Sequence, residues 1–217
     1  MFLGIFFLLT VMIFLWGIKE KATKYAAGKD IKMKEVKKIA LTFDDGPSVY
    51  TEELLEGLRQ RNVKVTFFVL GKNAEKFPEV VIQEAQDGHL IGNHTYSHVE
   101  LTTLTIQEAY EEVERTNEMV ETLTKTEVEY IRPPFGCWDD KYHEIGLMPV
   151  MWTVDPLDWA TKNTEEIVKK VVTRVEENDI ILLHDCYQSS VDAAFLLIDI
   201  LQAEGFEFVT VEELLLE

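Results

Sequence analysis

Residues Ile39–Pro47 read IALTFDDGP, an apolar run that ends in two adjacent aspartates and a Gly-Pro turn. The run has the length and the content of β-branched and aromatic residues that are typical of a buried strand. Asp44 and Asp45 follow it directly, so one carboxylate can bind a cation while the other takes a proton. The same residues also suit a plain turn with a helix cap, because turns favour Asp, Gly and Pro.

Similar apolar runs recur along the chain and alternate with segments of helical pattern. Strands are predicted at Ile39–Phe43, Val65–Val69, His89–Ile91, Tyr130–Arg132, Pro149–Val154, Ile180–His184 and Phe206–Val209. Helices are predicted at Thr51–Gln60, Phe77–Asp87, after Thr105, at Thr164–Glu176 and at Val191–Glu204. This alternation indicates an α/β fold with a parallel sheet. About seven strands favour an incomplete barrel over an open sheet.

One helix has a clear start signal. Thr105 and Glu108 have the spacing of a capping box. Behind it an apolar face is predicted at i, i+3, i+4 and i+7, which are Ile106, Ala109, Tyr110 and Val113.

In folds of this kind the chemistry lies at the carboxyl ends of the strands. There the third predicted strand is followed by His94 and His98, two imidazoles that can meet one metal ion if the segment is helical. With Asp45 they make a two-histidine, one-carboxylate set with open positions for water. That set fits a catalytic zinc ion, and also iron, cobalt, nickel or manganese. Such a histidine pair also occurs as surface decoration.

Three further strand ends carry candidate groups. In Ile131–Gly136 (IRPPFG) the prolines lack an N–H, so the first free amides after Arg132 are those of Phe135 and Gly136 on a stiff loop, a good oxyanion donor. A plain polyproline turn is the alternative. The fifth strand ends in Asp155–Trp159 (DPLDW). The sixth ends in His184, which is either functional or a satisfied core residue.

The order of these segments, from about Lys38 to Leu215, matches that of a known protein family. The chain resembles carbohydrate esterase family 4, the NodB-homology polysaccharide deacetylases. The matching segments are Thr42–Pro47 (TFDDGP), His94–His98 (HTYSH), Arg132–Gly136 (RPPFG), Asp155–Trp159 (DPLDW) and Leu183-His184.

The resemblance implies a distorted (β/α)7 barrel of the NodB-homology type that removes N-acetyl groups from an amino-sugar polymer. It implies a divalent metal ion held by Asp45, His94 and His98. The remaining implied roles are Asp44 as general base, His184 as general acid, Arg132 as the partner of Asp44, Asp158 as the residue that orients His184, Phe135 as amide donor, and Trp159, Leu183 and Phe135 as walls of the acetyl pocket.

The chain departs from the family pattern in two places. Ile181 stands where the family has leucine, a mild change that keeps an apolar wall. Only 11 residues separate Gly136 from Met148, too few for loops and a full helix, so one barrel helix is predicted to be trimmed to a turn or two.

The two cysteines are too few for a disulfide scaffold or a four-thiolate zinc site. Cys137 follows the IRPPFG segment, and Cys186 follows His184 by two residues. An extracytoplasmic setting permits a bridge between them, which is our hypothesis. The alternative is two free, small buried residues.

Composition narrows the functions further. The chain has 217 residues, 47% apolar and 28% charged, which suits one catalytic-size domain and excludes a wholly disordered chain. Its net charge is −18, although residues 19–38 hold eight lysines and three acidic residues. A domain this acidic repels nucleic acid and disfavours polyanionic substrates. We expect an N-acetylated glycan polymer as partner and no nucleic acid.

The N-terminal residues have the character of a membrane segment. Phe2–Ile18 is a run of 17 residues without charge. As a helix it is about 26 Å long, close to the hydrocarbon thickness of a bilayer. We expect residues 1–18 to be an uncleaved anchor, with a cleaved signal segment as the alternative. A buried core helix is disfavoured because the run has no polar face.

Residues 19–37 are then predicted to be a basic linker and residues 38–217 the catalytic domain. The lysines that follow the apolar run favour a cytoplasmic domain by the positive-inside tendency. A cell-wall substrate lies outside the membrane, however. We therefore expect an extracytoplasmic, membrane-anchored domain, secreted if the segment is cleaved, and a monomer.

Three functions remain open from the sequence. The favoured one is a metal-dependent deacetylase of peptidoglycan N-acetylglucosamine. A second keeps the chemistry but acts on chitooligosaccharide or acetylated xylan. The third is a non-catalytic wall-binding module, which the presence of Asp44 and His184 disfavours.

Overall fold

The structure, a computed structural model, describes residues 36–216. The predicted anchor at residues 1–18 and nearly all of the predicted linker at residues 19–37 lie outside the described residues. The first strand begins at Lys37, one residue before the predicted start of the domain. Within residues 36–216, no helix combines the length and the apolar character that crossing a bilayer requires.

The described residues form seven strands and eight α-helices. The strands are β1 (Lys37–Asp44), β2 (Thr66–Val69), β3 (Leu90–Asn93), β4 (Tyr130–Ile131), β5 (Met148–Pro149), β6 (Ile180–His184) and β7 (Phe206–Val209). The helices are α1 (Thr51–Arg61), α2 (Gly71–Lys76), α3 (Pro78–Gln86), α4 (Ile106–Thr124), α5 (Asp158–Thr161), α6 (Thr164–Val172), α7 (Gln188–Ala203) and α8 (Val211–Leu215). Short 3-10 turns lie at Leu101–Thr103, Pro134–Gly136 and Asp140–Ile145.

The strands form one parallel sheet with the order β5-β4-β3-β2-β1-β6, and β7 also pairs with β1. Beyond β5 the chain crosses towards the opposite edge. The Val150 amide donates to the Ile131 carbonyl of β4 at 2.8 Å, and Val154 forms an isolated parallel bridge with Ile181 of β6. The sheet is thus a curled, incomplete barrel, as predicted. The strand predicted at Pro149–Val154 is shorter because most of that segment passes between the two edges.

The strand β1 shows how the sheet separates its two faces. Leu41 and Phe43 are buried in the core between the sheet and the helices, whereas Ala40 packs in a second cluster with Phe68. Because successive side chains alternate across a strand, Thr42 and Asp44 share the face of Ala40. Asp44 therefore stands at the carboxyl end of β1 on the inner face of the curled sheet.

The helix α4 confirms the predicted start and part of the predicted face. The capping box at Thr105 is present. Ala109 and Val113 are buried, but Ile106 and Tyr110 are each 43% exposed. The buried face continues through Thr116, Asn117 and Val120, so the helix packs through a face displaced from the predicted one.

Two short segments, Gly71–Lys76 and Asp140–Ile145, are helical in the structure. The helix α2 was not predicted, because Gly71–Lys76 is short and lacks an apolar period. Between Gly136 and Met148 the chain has only the 3-10 turn at Asp140–Ile145, so the predicted trimming of one barrel helix is confirmed.

Candidate active site

The three predicted metal ligands converge beyond the ends of β1 and β3. One donor atom from each of Asp45, His94 and His98 lies within 4.8 Å of the other two. The Nε2 atoms of His94 and His98 are 3.5 and 3.4 Å from Asp45 Oδ1. That oxygen is buried and has no hydrogen-bond partner among residues 36–216. A buried, unpaired carboxylate oxygen that faces two imidazole nitrogens fits a divalent cation.

Both imidazoles are in a state that suits metal binding. The Nδ1 atom of His94 lies 2.6 Å from the Arg132 carbonyl oxygen, so in the neutral ring Nδ1 carries the proton and the lone pair lies on Nε2. Burial lowers the pKa of His98, and Asp45 only partly opposes this. Neutral imidazole is the form that binds a cation.

The histidine pair meets through a loop and not through the helix that the four-residue spacing called for. Residues 94–98 contain a bend and no helical turn. Thr95 and His98 have φ values of 66° and 65°, in the left-handed region that non-glycine residues rarely adopt. These two residues turn the chain so that the imidazole centroids lie 5.1 Å apart.

Asp44 is buried beside a fully buried arginine. The Arg132 Nη1 atom donates to Asp44 Oδ1 at 2.9 Å, and the same nitrogen donates to Thr42 Oγ1. The Nε and Nη2 atoms donate to the carbonyl oxygens of Val150 and Met151, each at 3.1 Å. The guanidinium is therefore fixed on several sides, and its charge compensates the buried carboxylate. The predicted Arg132–Asp44 pair is present.

His184 ends β6 and pairs in register with Asp44 of β1. Its Nδ1 atom lies 2.8 Å from Asp158 Oδ1, and its amide donates to Asp158 Oδ2 at 2.8 Å. Ser190 Oγ donates to the same Oδ2 atom at 2.6 Å. Burial by itself lowers the pKa of His184, but the hydrogen bond and charge of Asp158 outweigh it and raise the pKa to about 9. His184 is thus protonated at neutral pH, as a general acid requires.

The candidate acid, base and metal ligands line one cavity of about 450 Å³. Phe135 and Trp159, both predicted as walls, lie in its lining. Leu183 does not: its side chain is buried in the core between sheet and helices. Leu182 lines the cavity instead, since a strand presents alternate residues to the same face and Leu182 shares that face with His184.

Other lining residues were given no role from the sequence. They are Trp152, Asp155, Leu157, Leu182 and Tyr187. Counting back by two from the histidine that ends β6 would have found Leu182. Trp152 and Tyr187 lie outside the recognised segments, so no local signal in the sequence marks them.

The amide of Phe135 is available as a donor. The next two amides, of Gly136 and Cys137, donate to the carbonyl oxygens of Pro133 and Pro134 at 3.0 and 3.3 Å. The Phe135 amide has no such partner in the part of the chain that the structure describes. Its ring packs edge-on against His98, with centroids 4.8 Å apart, which places this loop beside the metal ligands.

Two partly buried cysteines and one fully buried carboxyl group follow candidate site residues in the chain. Cys137 and Cys186 are both free thiols, so the hypothesised disulfide is absent. Asp185 is fully buried and accepts a hydrogen bond from Thr51 Oγ1. Burial raises the pKa of Asp185 to about 7.

The matching family profile and two relatives of this chain are polysaccharide or peptidoglycan deacetylases. The polysaccharide deacetylase family profile matches residues 32–147. The chain is 38% identical to the peptidoglycan-N-acetylmuramic acid deacetylase PdaC of Bacillus subtilis over 82% of this chain and 38% of that protein. It is 36% identical to a peptidoglycan-N-acetylglucosamine deacetylase of Bacillus cereus over 82% of this chain and 87% of that protein.

A solved structure agrees in fold. The structure of PdaC from Bacillus subtilis superimposes with a TM-score of 0.81 and 36% identity, over 83% of this chain and 90% of that one. This chain belongs to the polysaccharide deacetylase family. It spans about two fifths of the full length of PdaC.

Proposed function

We propose that this chain is a metal-dependent hydrolase that removes N-acetyl groups from the N-acetylglucosamine units of peptidoglycan. The observation that carries the proposal is the meeting of three elements in one cavity: the Asp45, His94 and His98 donor set, Asp44 with Arg132, and His184 with Asp158. Membership of the polysaccharide deacetylase family supports the reaction. The peptidoglycan substrates in the names of its relatives support the polymer.

Asp45, His94 and His98 would hold the cation, and we propose zinc. Two neutral imidazoles and one carboxylate leave positions open for solvent and substrate, the arrangement of catalytic zinc sites. Cobalt, nickel, manganese and iron accept the same donors. When bound, such a cation polarises an acetamide carbonyl and acidifies a water molecule.

The remaining groups divide the proton transfers. Asp44 accepts the proton of the attacking water. The Phe135 amide donates a hydrogen bond to the carbonyl oxygen as negative charge develops there. His184 gives its proton to the departing nitrogen, because an amine leaves only when protonated. Arg132 pairs with the base Asp44, and Asp158 keeps the acid His184 protonated at neutral pH.

The apolar walls suit the acetyl group. Phe135, Trp159 and Leu182 lie in the cavity lining beside the polar groups. We propose that they enclose the acetyl methyl, while the sugar extends towards solvent past Trp159, which is 51% exposed.

We further propose that residues 38–217 are the catalytic domain and that residues 1–18 anchor it outside the cytoplasm. The uncharged run Phe2–Ile18 and the extracytoplasmic location of peptidoglycan support this placement. Protease added to intact cells should digest the domain, and full protection would refute the placement. Size-exclusion chromatography of the domain should give a monomer.

Acetate release tests the reaction and the substrate together. The protein should release acetate from peptidoglycan, lose this activity with a chelator, and recover it with added zinc. Chitin oligomers and acetylated xylan serve as the competing substrates, and analysis of the product sugars distinguishes glucosamine from muramic acid. Absence of acetate release from every substrate in the presence of divalent ions would refute the enzyme reading.

A further inference from the structure

The backbone of the loop between the two histidines is bonded to a carboxylate of helix α4, and Arg115 of that helix holds the Tyr96 ring of the loop. Glu112 Oε2 accepts hydrogen bonds from the amides of Tyr96 and Ser97 at 3.1 and 2.8 Å. Glu112 Oε1 accepts a third from Ser97 Oγ at 2.9 Å. Both oxygens of one side chain therefore hold the two residues that immediately precede His98.

This loop needs an external support. Thr95 and His98 both adopt positive φ, at 66° and 65°. A non-glycine residue in this region is strained and persists only where surrounding contacts hold it. The bond from the His98 amide to Thr95 Oγ1, at 3.1 Å, is made within the loop, so it does not fix the loop relative to the rest of the domain.

The opposite edge of the loop is held by different contacts. The amides of Gly71 and Lys72, at the start of α2, donate to the carbonyl oxygens of Thr95 and Tyr96, each at 3.0 Å. Thus α2 binds the carbonyls of Thr95 and Tyr96, while Glu112 binds the amides of Tyr96 and Ser97. Without Glu112 the carbonyl side stays tied, but the two amides next to His98 lose their acceptor.

We propose that Glu112 is a positioning residue that sets the place of His98 in the metal site. This inference rests on the proposed function, since it requires that Asp45, His94 and His98 bind a cation. Glu112 does not line the cavity and touches neither the acid nor the base. It acts through the backbone of the loop, and charge-assisted bonds to amides are stronger than neutral ones.

Cobalt affinity measures this role without any turnover. The metal-free protein is titrated with Co²⁺ alone, and binding is followed by the visible d–d absorption. Glu112→Ala should weaken Co²⁺ binding by at least about 10-fold, the usual effect of losing support around a metal ligand. Glu112→Gln keeps one acceptor oxygen without the charge and should show a smaller loss. An unchanged dissociation constant in both variants would overturn the proposal.

A matched control lies one residue away. Glu111 is exposed on the same helix and accepts a bond from Gln107. Glu111→Ala makes the same change in charge and should leave Co²⁺ binding unchanged. If Glu111→Ala weakens binding as much as Glu112→Ala, the effect is general electrostatics and the proposal is wrong.

A double-mutant cycle separates positioning from general destabilisation. If Glu112 acts through His98, its replacement in a His98→Ala background should change the Co²⁺ dissociation constant by less than about twofold. An equal loss in both backgrounds would refute the role. Where Glu112→Ala lowers the thermal midpoint of the apo protein too far for titration, the Glu112→Gln cycle decides. Failure of the native protein itself to bind Co²⁺ would instead refute the proposed function.

Discussion

Replacing Asp158 with asparagine should move the alkaline limit of activity. In the native protein Asp158 accepts from both the ring and the amide of His184 and holds the pKa of this histidine at about 9. Asparagine removes the charge while keeping the shape. Burial is the largest influence on His184 and lowers its pKa, while the charges of Asp44 and Asp45 raise it, so without Asp158 the pKa should fall towards its ordinary value of 6.5.

The size of the effect follows from the protonated fraction of the acid. At pH 8 a group with a pKa near 9 is about nine-tenths protonated, whereas one with a pKa near 6.5 is about 3% protonated. The rate at pH 8 should therefore fall roughly 30-fold from protonation alone. At pH 5.5 both forms are largely protonated, so the loss there should be much smaller.

The assay is the pH profile of kcat/KM for acetate release from a soluble chitin oligomer or muropeptide. Asp155→Asn is the control, because Asp155 lines the same cavity and accepts a bond from the Leu157 amide and none from His184. The alkaline limb of the pH profile of Asp155→Asn should stay near pH 9. A limb that also stays near pH 9 in Asp158→Asn would show that Asp158 does not control the acid.

The same pair predicts a stability change with a definite sign. The folded pKa of His184, about 9, lies above the ordinary 6.5. The pair with Asp158 thus stabilises the fold fully below about pH 6.5, and this contribution is lost as the pH rises through about 9. The difference in unfolding free energy between the native protein and Asp158→Asn, measured with urea, should shrink between about pH 6.5 and pH 9.

Three further changes have definite expected results. Asp44→Asn should keep Co²⁺ binding but lower kcat at least ~100-fold, and near-native turnover would remove Asp44 as the base. The native fold keeps the buried Asp185 carboxyl protonated up to a pKa of about 7, so the native protein loses stability as the pH rises from about 4 to 7. Asp185→Asn should gain stability relative to the native protein over that range. Urea unfolding free energies of the two proteins that change in parallel with pH would contradict this. Gly92→Ala should cost about 1–3 kcal/mol of unfolding free energy and reduce kcat. The Cβ of the new alanine would lie 2.6 Å from the Phe68 ring, and the guanidinium of Arg132 is stacked on that ring at 4.2 Å. An unchanged thermal midpoint would contradict the expected cost, because it would show that the ring has room to move.

Local features of the fold were predictable because they depend on neighbours in sequence. The apolar run that leads into Asp44 and Asp45 is a strand, and the capping box at Thr105 starts the long helix. The alternation of strands and helices gave the parallel sheet, since such connections need a crossover. The boundaries at Pro149–Val154 were wrong, because pairing there depends on two distant strands.

In the candidate site, too, the residue types were predictable from the sequence and their geometry was not. Residue types and order marked Asp45, His94 and His98 as ligands, but the path that joins the two histidines is a strained loop and not a helix. The pairing of Arg132 with Asp44, 88 residues apart, entered through family resemblance, and the structure supplies its geometry.

The sequence by itself determined the strands, the strand-end residues with reactive side chains and the acidic character of the chain. Those properties are set by composition and short-range spacing. Only the tertiary structure decided that Leu182 and not Leu183 lines the cavity and that Glu112 supports the histidine loop. It also decided that Cys137 and Cys186 remain separate thiols. The reason is physical: these facts depend on how elements distant in sequence are oriented against one another, and packing in three dimensions sets that orientation.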